Sequence, residues 1–422
     1  MAPGFCPPSC PSQHRGRFRP GVHRTPQRYR PAGEGRYPTV KLPLSLGASA
    51  ALALIWLGFL DSTAATSFLT RVLAVLSFAS FMTIIVNISS DAGTFEALLS
   101  RVQPRRPAST WLVIVLLSLF STVFFSLDTT AVLITPVAIL LARNTRIPVL
   151  PAALSVIWLA NLGSMLLPIS NLTNLLAVQT GLISSTSEFL AYSWAPASYL
   201  AFIAAGTPLL LAGITTSSHH ATARYEDSSH RVPRFPLTPE VLAHTTVIVV
   251  LLPFLLTPIP VWLSAGIAAA ASCLIARVCR PHSVNFHIVP WGSMAFIFAL
   301  TSWAALIHKL GLLDLLLHPL QSFDGHSQLW GLGIAGALAA NLINNIPAYL
   351  ALEPAANSPS ALFALLLGVN AGPVISPWAS LATLLWADQM KRRGETVNWL
   401  AFAALGLVLS ILALGGSLWL LS

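Results

Sequence analysis

A chain of 422 residues that is 55% hydrophobic and only 9% charged, with a mean hydropathy of +0.72, is excluded from the soluble globular class, which carries nearer ~25% charged residues. Its formal charge of +9 sits mostly at the start, where residues 1–41 hold seven Arg, one Lys and one Glu. The other 381 residues carry only +2, so the charge points to no nucleic-acid partner.

In chain order, residues 1–41 are rich in Pro, Gly and Arg and are predicted to be a disordered cytoplasmic tail. The tail lacks the apolar core of a secretory signal, so no cleavage is expected. Positive charge beside a first span serves as a topological anchor, unless the start codon lies further along. Residues 44–60, 72–90 and 107–127 contain no Asp, Glu, Lys or Arg, and each approaches the ~20 residues that cross a bilayer. Further uncharged runs cover 147–187, 189–218, 241–276, 325–352, 354–387 and 396–422. By length these give about ten to twelve membrane segments of an all-α polytopic protein in the cytoplasmic membrane. A closed barrel is excluded, because its strands alternate polar and apolar residues.

The predicted organisation is a first transmembrane repeat over 42–215, a polar linker loop over 216–240 and a second repeat over 241–422. Arg101, Arg105, Arg106, Arg143, Arg146, Arg224, Arg231, Arg234, Arg277, Arg280 and Lys391-Arg392-Arg393 mark the cytoplasmic face. An N-terminus inside satisfies most of them, provided that 149–166 enters and leaves on one side as a re-entrant hairpin.

Both halves show the same order of polar interruptions. In the first, an apolar helix carries Asp128 and continues to Thr135-Pro136; Asn161-Leu162-Gly163 follows, and seven residues after the glycine comes Ser170-Asn171-Leu172-Thr173-Asn174. In the second, an apolar helix reaches Asn341 and Asn344-Asn345; Asn370-Ala371-Gly372 follows, and eight residues after its glycine comes Ser380-x-x-Thr383. Gly163 and Gly372 are expected to supply unusual φ angles, and Pro168, Pro373 and Pro377 to break the helices. A broken helix exposes backbone groups that are tolerable at membrane depth only beside protein or a water-filled cavity. Any one Ser, Thr or Asn in a membrane helix is commonly only a packing or cross-helix bonding residue. Packing alone has no reason to place such residues at helix breaks twice, whereas carriers build mid-bilayer sites this way. The candidate substrate-binding residues are Asn161, Gly163, Ser170, Asn171, Thr173, Asn174, Asn344, Asn345, Asn370, Gly372, Ser380 and Thr383.

Asp128 lies between 21 uncharged residues on one side and 14 on the other. A carboxylate at the centre of a spanning helix costs ~2.5–3.5 kcal/mol, which points to a role in loading and releasing a proton. A helix-capping aspartate at a junction is the competing reading.

No cofactor or metal site is predicted. Cys6, Cys10, Cys273 and Cys279 form no disulfide framework, and His219, His220 and His230 read as loop histidines. The chain has no His-Glu-x-x-His, no Gly-x-Ser-x-Gly and no nucleotide-binding Gly-x-x-x-x-Gly-Lys-[Ser/Thr], so neither an enzyme nor a primary pump is indicated. Energy must come from an ion gradient or a partner protein.

The segments Phe125 to Pro136, Ser170 to Asn174, Pro290 to Phe298, Asn344 to Pro347 and Ser376 to Trp386 resemble the arsenical pump membrane protein family. That family exports arsenite and antimonite and belongs to the ion transporter superfamily. The likeness runs over about 44–420, and the Ser-Leu-Ala-Thr-Leu-Leu-Trp run ending at Trp386 is its most specific part. The resemblance implies two inverted repeats, each with a re-entrant hairpin and a broken helix, a homodimer, and by analogy a soluble ATPase partner at the cytoplasmic loops. The chain departs from the family pattern, which has Asn before Asp128, Asp at Asn161 and Asn370, and Lys at Val374.

The function these observations imply is secondary transport of a small inorganic oxyacid or anion, with arsenite or antimonite efflux coupled to protons as the main expectation. Arsenous acid is neutral at physiological pH and suits a pocket of Asn, Ser and Thr. The alternative is a sodium- or proton-coupled carrier of a dicarboxylate- or citrate-like anion, or a sodium/proton antiporter.

Overall fold

The computed structural model describes residues 41–102, 104–218, 235–257, 259–281, 289, 291–323 and 325–422. The expected tail, apart from Lys41, falls outside these residues. So do 219–234 of the expected linker, with Arg224, Arg231, Arg234 and its three histidines, and Cys6 and Cys10.

Among the described residues there is no strand. The helices are α1 (Lys41–Leu60), α2 (Ser62–Asp91), α3 (Thr94–Leu99), α4 (Pro107–Phe125), α5 (Leu127–Thr145), α6 (Val149–Leu162), α7 (Leu172–Val178), α8 (Thr186–Ser218) and α9 (Pro239–Phe254). They continue as α10 (Val261–Cys279), α11 (Trp291–Lys309), α12 (Asp314–Ser322), α13 (Gly325–Ile343), α14 (Asn345–Leu352), α15 (Pro359–Ala371), α16 (Leu381–Arg392) and α17 (Trp399–Leu421). Six of them, α2, α4, α5, α8, α10 and α17, hold stretches long and apolar enough to cross a bilayer, and five shorter apolar stretches lie in α1, α6, α9, α11 and α15. This agrees with the ten to twelve segments expected.

The centre is built from α6 and α15. Every residue from Pro151 to Leu162 and from Ala361 to Ala371 is buried, as a helix that is apolar on all sides requires. Each stops at a glycine. A 3-10 turn follows (Gly163–Met165, Gly372–Val374), then a second opened by proline (Pro168–Ser170, Pro377–Ala379), then α7 or α16. Each landmark in the second half lies 209 residues after its counterpart. The two broken helices are therefore copies without a gap. That corrects the register read from the sequence: Ser380 corresponds to Asn171 and Thr383 to Asn174, whereas Ser170 and Thr173 match Ala379 and Ala382. Both α7 and α16 start from an extended residue, Asn171 (φ −149°, ψ 145°) and Ser380 (φ −142°, ψ 139°).

The hairpin of the first half is not at 149–166. It is α4 and α5, joined through Ser126 alone. Thr122 donates to Thr130 Oγ1 at 3.0 Å. Eight residues of continuous helix would separate them by about 12 Å, so the chain has reversed. The 149–166 segment instead runs into the break, and α7 carries on past it, since α6 and α7 do not pack side by side. Asp128 accordingly sits in the first turn of α5, just past a hairpin tip, and not midway along a continuous helix. In the second half, Asn344 occupies the place of Ser126 between α13 and α14.

The glycines do not work as expected either. Gly163 (φ −75°) and Gly372 (φ −58°) have ordinary helical backbone. What they supply is room: a Cβ on Gly372 would lie 2.8 Å from the Ala337 carbonyl oxygen, and one on Gly163 would lie 3.0 Å from Leu119 Cδ2. The unusual φ angles belong to the tips, Ser126 (φ 105°, ψ 161°) and Asn344 (φ 85°, ψ 156°). This is a region essentially reserved for glycine, and it costs a side-chain-bearing residue ~1–3 kcal/mol.

Around this centre, α1, α2, α10 and α11 pack on one another. The Lys309–Asp61 ion pair (2.7 Å) and the Trp303 Nε1 bond to Ser49 Oγ (2.7 Å) tie α11 to α1 and the turn that follows it.

Candidate functional site

Each hairpin tip is stitched to the break of its own half. In the first, Ser170 Oγ donates to the Val123 carbonyl at 3.0 Å. In the second, Asn341 Nδ2 donates to the Gly372 carbonyl (2.8 Å), Asn341 Oδ1 accepts from Ser376 N (3.0 Å), and Asn344 Nδ2 donates to the Trp378 carbonyl (2.9 Å). These bonds satisfy backbone groups released at the first tip and at the second break, as burial at membrane depth demands.

The two breaks also bond to each other. Asn171 Nδ2 donates to Asn370 Oδ1 at 2.5 Å, and Asn370 Nδ2 points at Asn174 Oδ1 (3.4 Å) and Met165 Sδ. Asn174 Nδ2 in turn donates to the Ser164 and Leu167 carbonyls (2.8 and 3.2 Å), inside the first break. Asn370 stands on the last turn of α15, so residues of both halves meet where both central helices end.

The predicted residues thus separate into groups. Asn171, Asn174 and Asn370 come together in one buried amide cluster. Gly163 and Gly372 end the helices beneath it. Asn161 is buried but turned back on its own helix, with Nδ2 donating to the Ile157 carbonyl at 3.0 Å. Asn344 donates to the Trp378 carbonyl and caps α14 with Oδ1 accepting from Ile346 N at 3.3 Å, and Asn345, the first residue of α14, accepts from the same N–H at 3.0 Å.

Four polar side-chain atoms at the tips and breaks remain buried without a hydrogen-bond partner among the described residues: Asp128 Oδ1, Thr173 Oγ1, Ser380 Oγ and Thr383 Oγ1. Buried polar groups are normally paired, and an orphaned one costs ~1–3 kcal/mol, so these four are polar positions at the tips and breaks that the protein's own hydrogen bonds leave unused. Arg143 near the end of α5 reaches the Arg393 carbonyl (3.0 Å) and Glu395 (2.7 Å) beyond α16, and α5 packs along α16. Counting back at 1.5 Å per residue puts Asp128 and Ser380 within about 3 Å of the same level.

Two residues that the sequence offered as landmarks but not as site candidates hold the site together: Asn341, three residues before the second tip, and Trp386, whose Nε1 bonds the Ala153 carbonyl at 2.9 Å across the halves. Their polar edges in apolar runs were the available signal. The tip conformation of Ser126 left none.

The family model described as citrate transporter (CitMHS) matches residues 39–361. The chain is 26% identical to an arsenical pump membrane protein of Escherichia coli, over 79% of this chain and 82% of that one. It is also 26% identical to an arsenical pump membrane protein of Yersinia enterocolitica, over 72% and 74%. Among solved structures, it is similar to the YdaH transporter of Alcanivorax borkumensis, described as having an unusual topology, with a TM-score of 0.61 and 16% identity over 90% of this chain and 96% of that one. The last likeness is one of fold. The kinship to arsenical pump membrane proteins drawn from the motifs agrees with these relatives. The chain belongs to the citrate transporter family, and it is a multi-pass membrane transporter.

Proposed function

We propose that this transporter is a secondary carrier that exports arsenite, antimonite or a related neutral oxyacid in exchange for protons. The observation that carries the reading is the amide cluster of Asn171, Asn174 and Asn370, together with the unpartnered hydroxyls of Thr173, Ser380 and Thr383 at the same two breaks. Among the described residues, no Lys or Arg side chain bonds to any of them, so the site offers neutral donors and acceptors. An undissociated oxyacid needs both and needs no fixed cation. The curated relatives named as arsenical pumps support the same class of solute. Asp128, the acid among the tip residues, is the proton-coupling group in this reading.

The positive-inside rule assigns the ends of α5 and α16, with Arg143, Arg146 and Lys391 to Arg393, to the cytoplasm. With α4–α5 as the re-entrant hairpin, both repeats obey that assignment in inverted order, 42–215 against 241–422. A homodimer and a cytoplasmic ATPase partner belong to the same reading.

The second reading is a carboxylate carrier, favoured by the description of the matching family model. Citrate would bring negative charge to a site of neutral groups, so sodium ions or half-helix termini would have to balance it. The deciding experiment is uptake of arsenite and of citrate into everted membrane vesicles under an imposed pH or sodium gradient. Arsenite accumulation driven by the proton gradient is expected. Citrate uptake with no arsenite uptake, and no protection of an arsenite-sensitive host, overturns the proposal.

A further inference from the structure

Both α7 and α14 begin at the central site and end elsewhere. Thr173 and Asn174 lie in the first turn of α7, and Asn345 opens α14. Their far ends, with Leu176 and Gln179 on one and Leu350 and Glu353 on the other, border a single cavity of about 680 Å³ whose opposite wall is α2 and α11. That volume falls within the ~300–1,000 Å³ of small-molecule pockets. Gln179 lies five residues past Asn174, so the cavity borders α7 about 8 Å further along its axis than the amide cluster.

The polar wall of this cavity is specific in kind. Arg71 Nη2 donates to the Leu176 carbonyl at 2.7 Å and pairs with the Glu353 carboxylate, while Arg71 Nε is buried with no partner among the described residues. His308 Nε2 lies 2.7 Å from the Leu350 carbonyl oxygen, and because a carbonyl only accepts, Nε2 is the donor. Ser67, Gln179 and Thr301 add neutral groups to the lining.

We propose that this cavity is a second binding station for a small uncharged oxyacid, on the path that passes the central amides, with Arg71 and Glu353 presenting a donor and an acceptor to the same solute. The inference rests on the carrier function proposed above. The guanidinium is already balanced by a carboxylate, so a polyanion such as citrate gains no net attraction and meets like charge at Glu353. An apolar solute leaves Arg71 Nε unpaired at a cost. Each hydroxyl of an undissociated oxyacid both donates and accepts, which matches a wall carrying donors and acceptors and no net charge.

The test is equilibrium binding of radiolabelled arsenite to the full-length protein in lipid nanodiscs, comparing wild type with Asn370→Ala, Arg71→Gln and Ala304→Phe. Ala304 lines the cavity, so its replacement by Phe fills the space while leaving the polar groups in place, and it covers the case in which Arg71→Gln does not fold. The expected result is about two equivalents bound by wild type. Ala304→Phe and Arg71→Gln should each lose one, Asn370→Ala should lose the other, and excess citrate should displace none of the Ala304-sensitive arsenite. One equivalent, lost in Asn370→Ala and unchanged in Ala304→Phe, overturns the second station and leaves the central site standing. Ala304-sensitive binding with none that depends on Asn370 supports the station and removes the central site. No binding by wild type overturns both, and displacement by citrate overturns the uncharged class of ligand.

Discussion

Asn171 and Asn370 stand 199 residues apart in the chain and share a hydrogen bond of 2.5 Å between their side-chain amides. Asn171 caps the helix after the first break, and Asn370 lies in the last turn before the second, so this contact joins the two repeats at their matching discontinuities.

Removing one partner strands the others. In Asn370→Ala, Asn171 Nδ2 and Asn174 Oδ1 both lose their Asn370 partner, at about 1–3 kcal/mol for each buried group left unpaired. Transport is expected to fall at least about tenfold, and thermal unfolding to move to lower temperature. A double-mutant cycle with Asn171→Ala should return a coupling of ~0.5–3 kcal/mol. Additive losses would show that the contact joins nothing.

The two helix-ending glycines should differ in tolerance. A Cβ at position 372 meets the Ala337 backbone, which cannot step aside without moving α13, whereas one at 163 meets the far end of the flexible Leu119 side chain. Gly372→Ala is therefore expected to destabilise by ~1–3 kcal/mol, and Gly163→Ala by clearly less. Equal effects on thermal unfolding would count against close approach as the reason for Gly372.

Much of this was legible in the sequence, for identifiable reasons. Uncharged runs of membrane length gave the helices, and the prolines gave both breaks, because a missing N–H acts locally; the glycines mark the same places for a tertiary reason, the room they leave against Leu119 and Ala337. The hairpin was misplaced because nothing at Phe125-Ser126-Leu127 looks like a turn: no Gly or Pro marks it, and the reversal is imposed by tertiary packing. The motif register slipped by one residue because Ser and Thr were matched by type. In space the helix caps correspond, and a cap is an Asn in one repeat and a Ser in the other. The Arg71–Glu353 pair, 282 residues apart, has no local signature at all.

The tip residues offer a test of that packing. Ser126 and Asn344 hold backbone angles suited to glycine, and each accepts a bond from a backbone N–H of the next helix, Thr129 N at 3.4 Å and Ile346 N at 3.3 Å. Ser126→Gly exchanges a cap bond for relief of strain, two effects of about 1 kcal/mol each, and should leave stability nearly unchanged. Ser126→Val keeps the strain, loses the cap and adds a β-branch, so a loss of about 2 kcal/mol or more is expected. A valine variant as stable as the glycine variant would mean that the tip is not held in this conformation.

Asp128 follows the first tip by two residues, and its Oδ1 is buried without a partner among the described residues. Asparagine has nearly the same shape and no proton to exchange. If Asp128 carries the coupled proton, Asp128→Asn should bind arsenite about as well as wild type and still let it pass down its own gradient, yet lose accumulation driven by the pH gradient. Vesicle uptake with and without an imposed proton gradient separates these two quantities. A purely structural role in the first turn of α5 predicts the opposite pattern: asparagine fills the same space, so uptake would keep its full dependence on the proton gradient. Gradient-driven accumulation in Asp128→Asn at the wild-type level would therefore remove Asp128 from the coupling step and leave it as a structural residue of the first turn of α5.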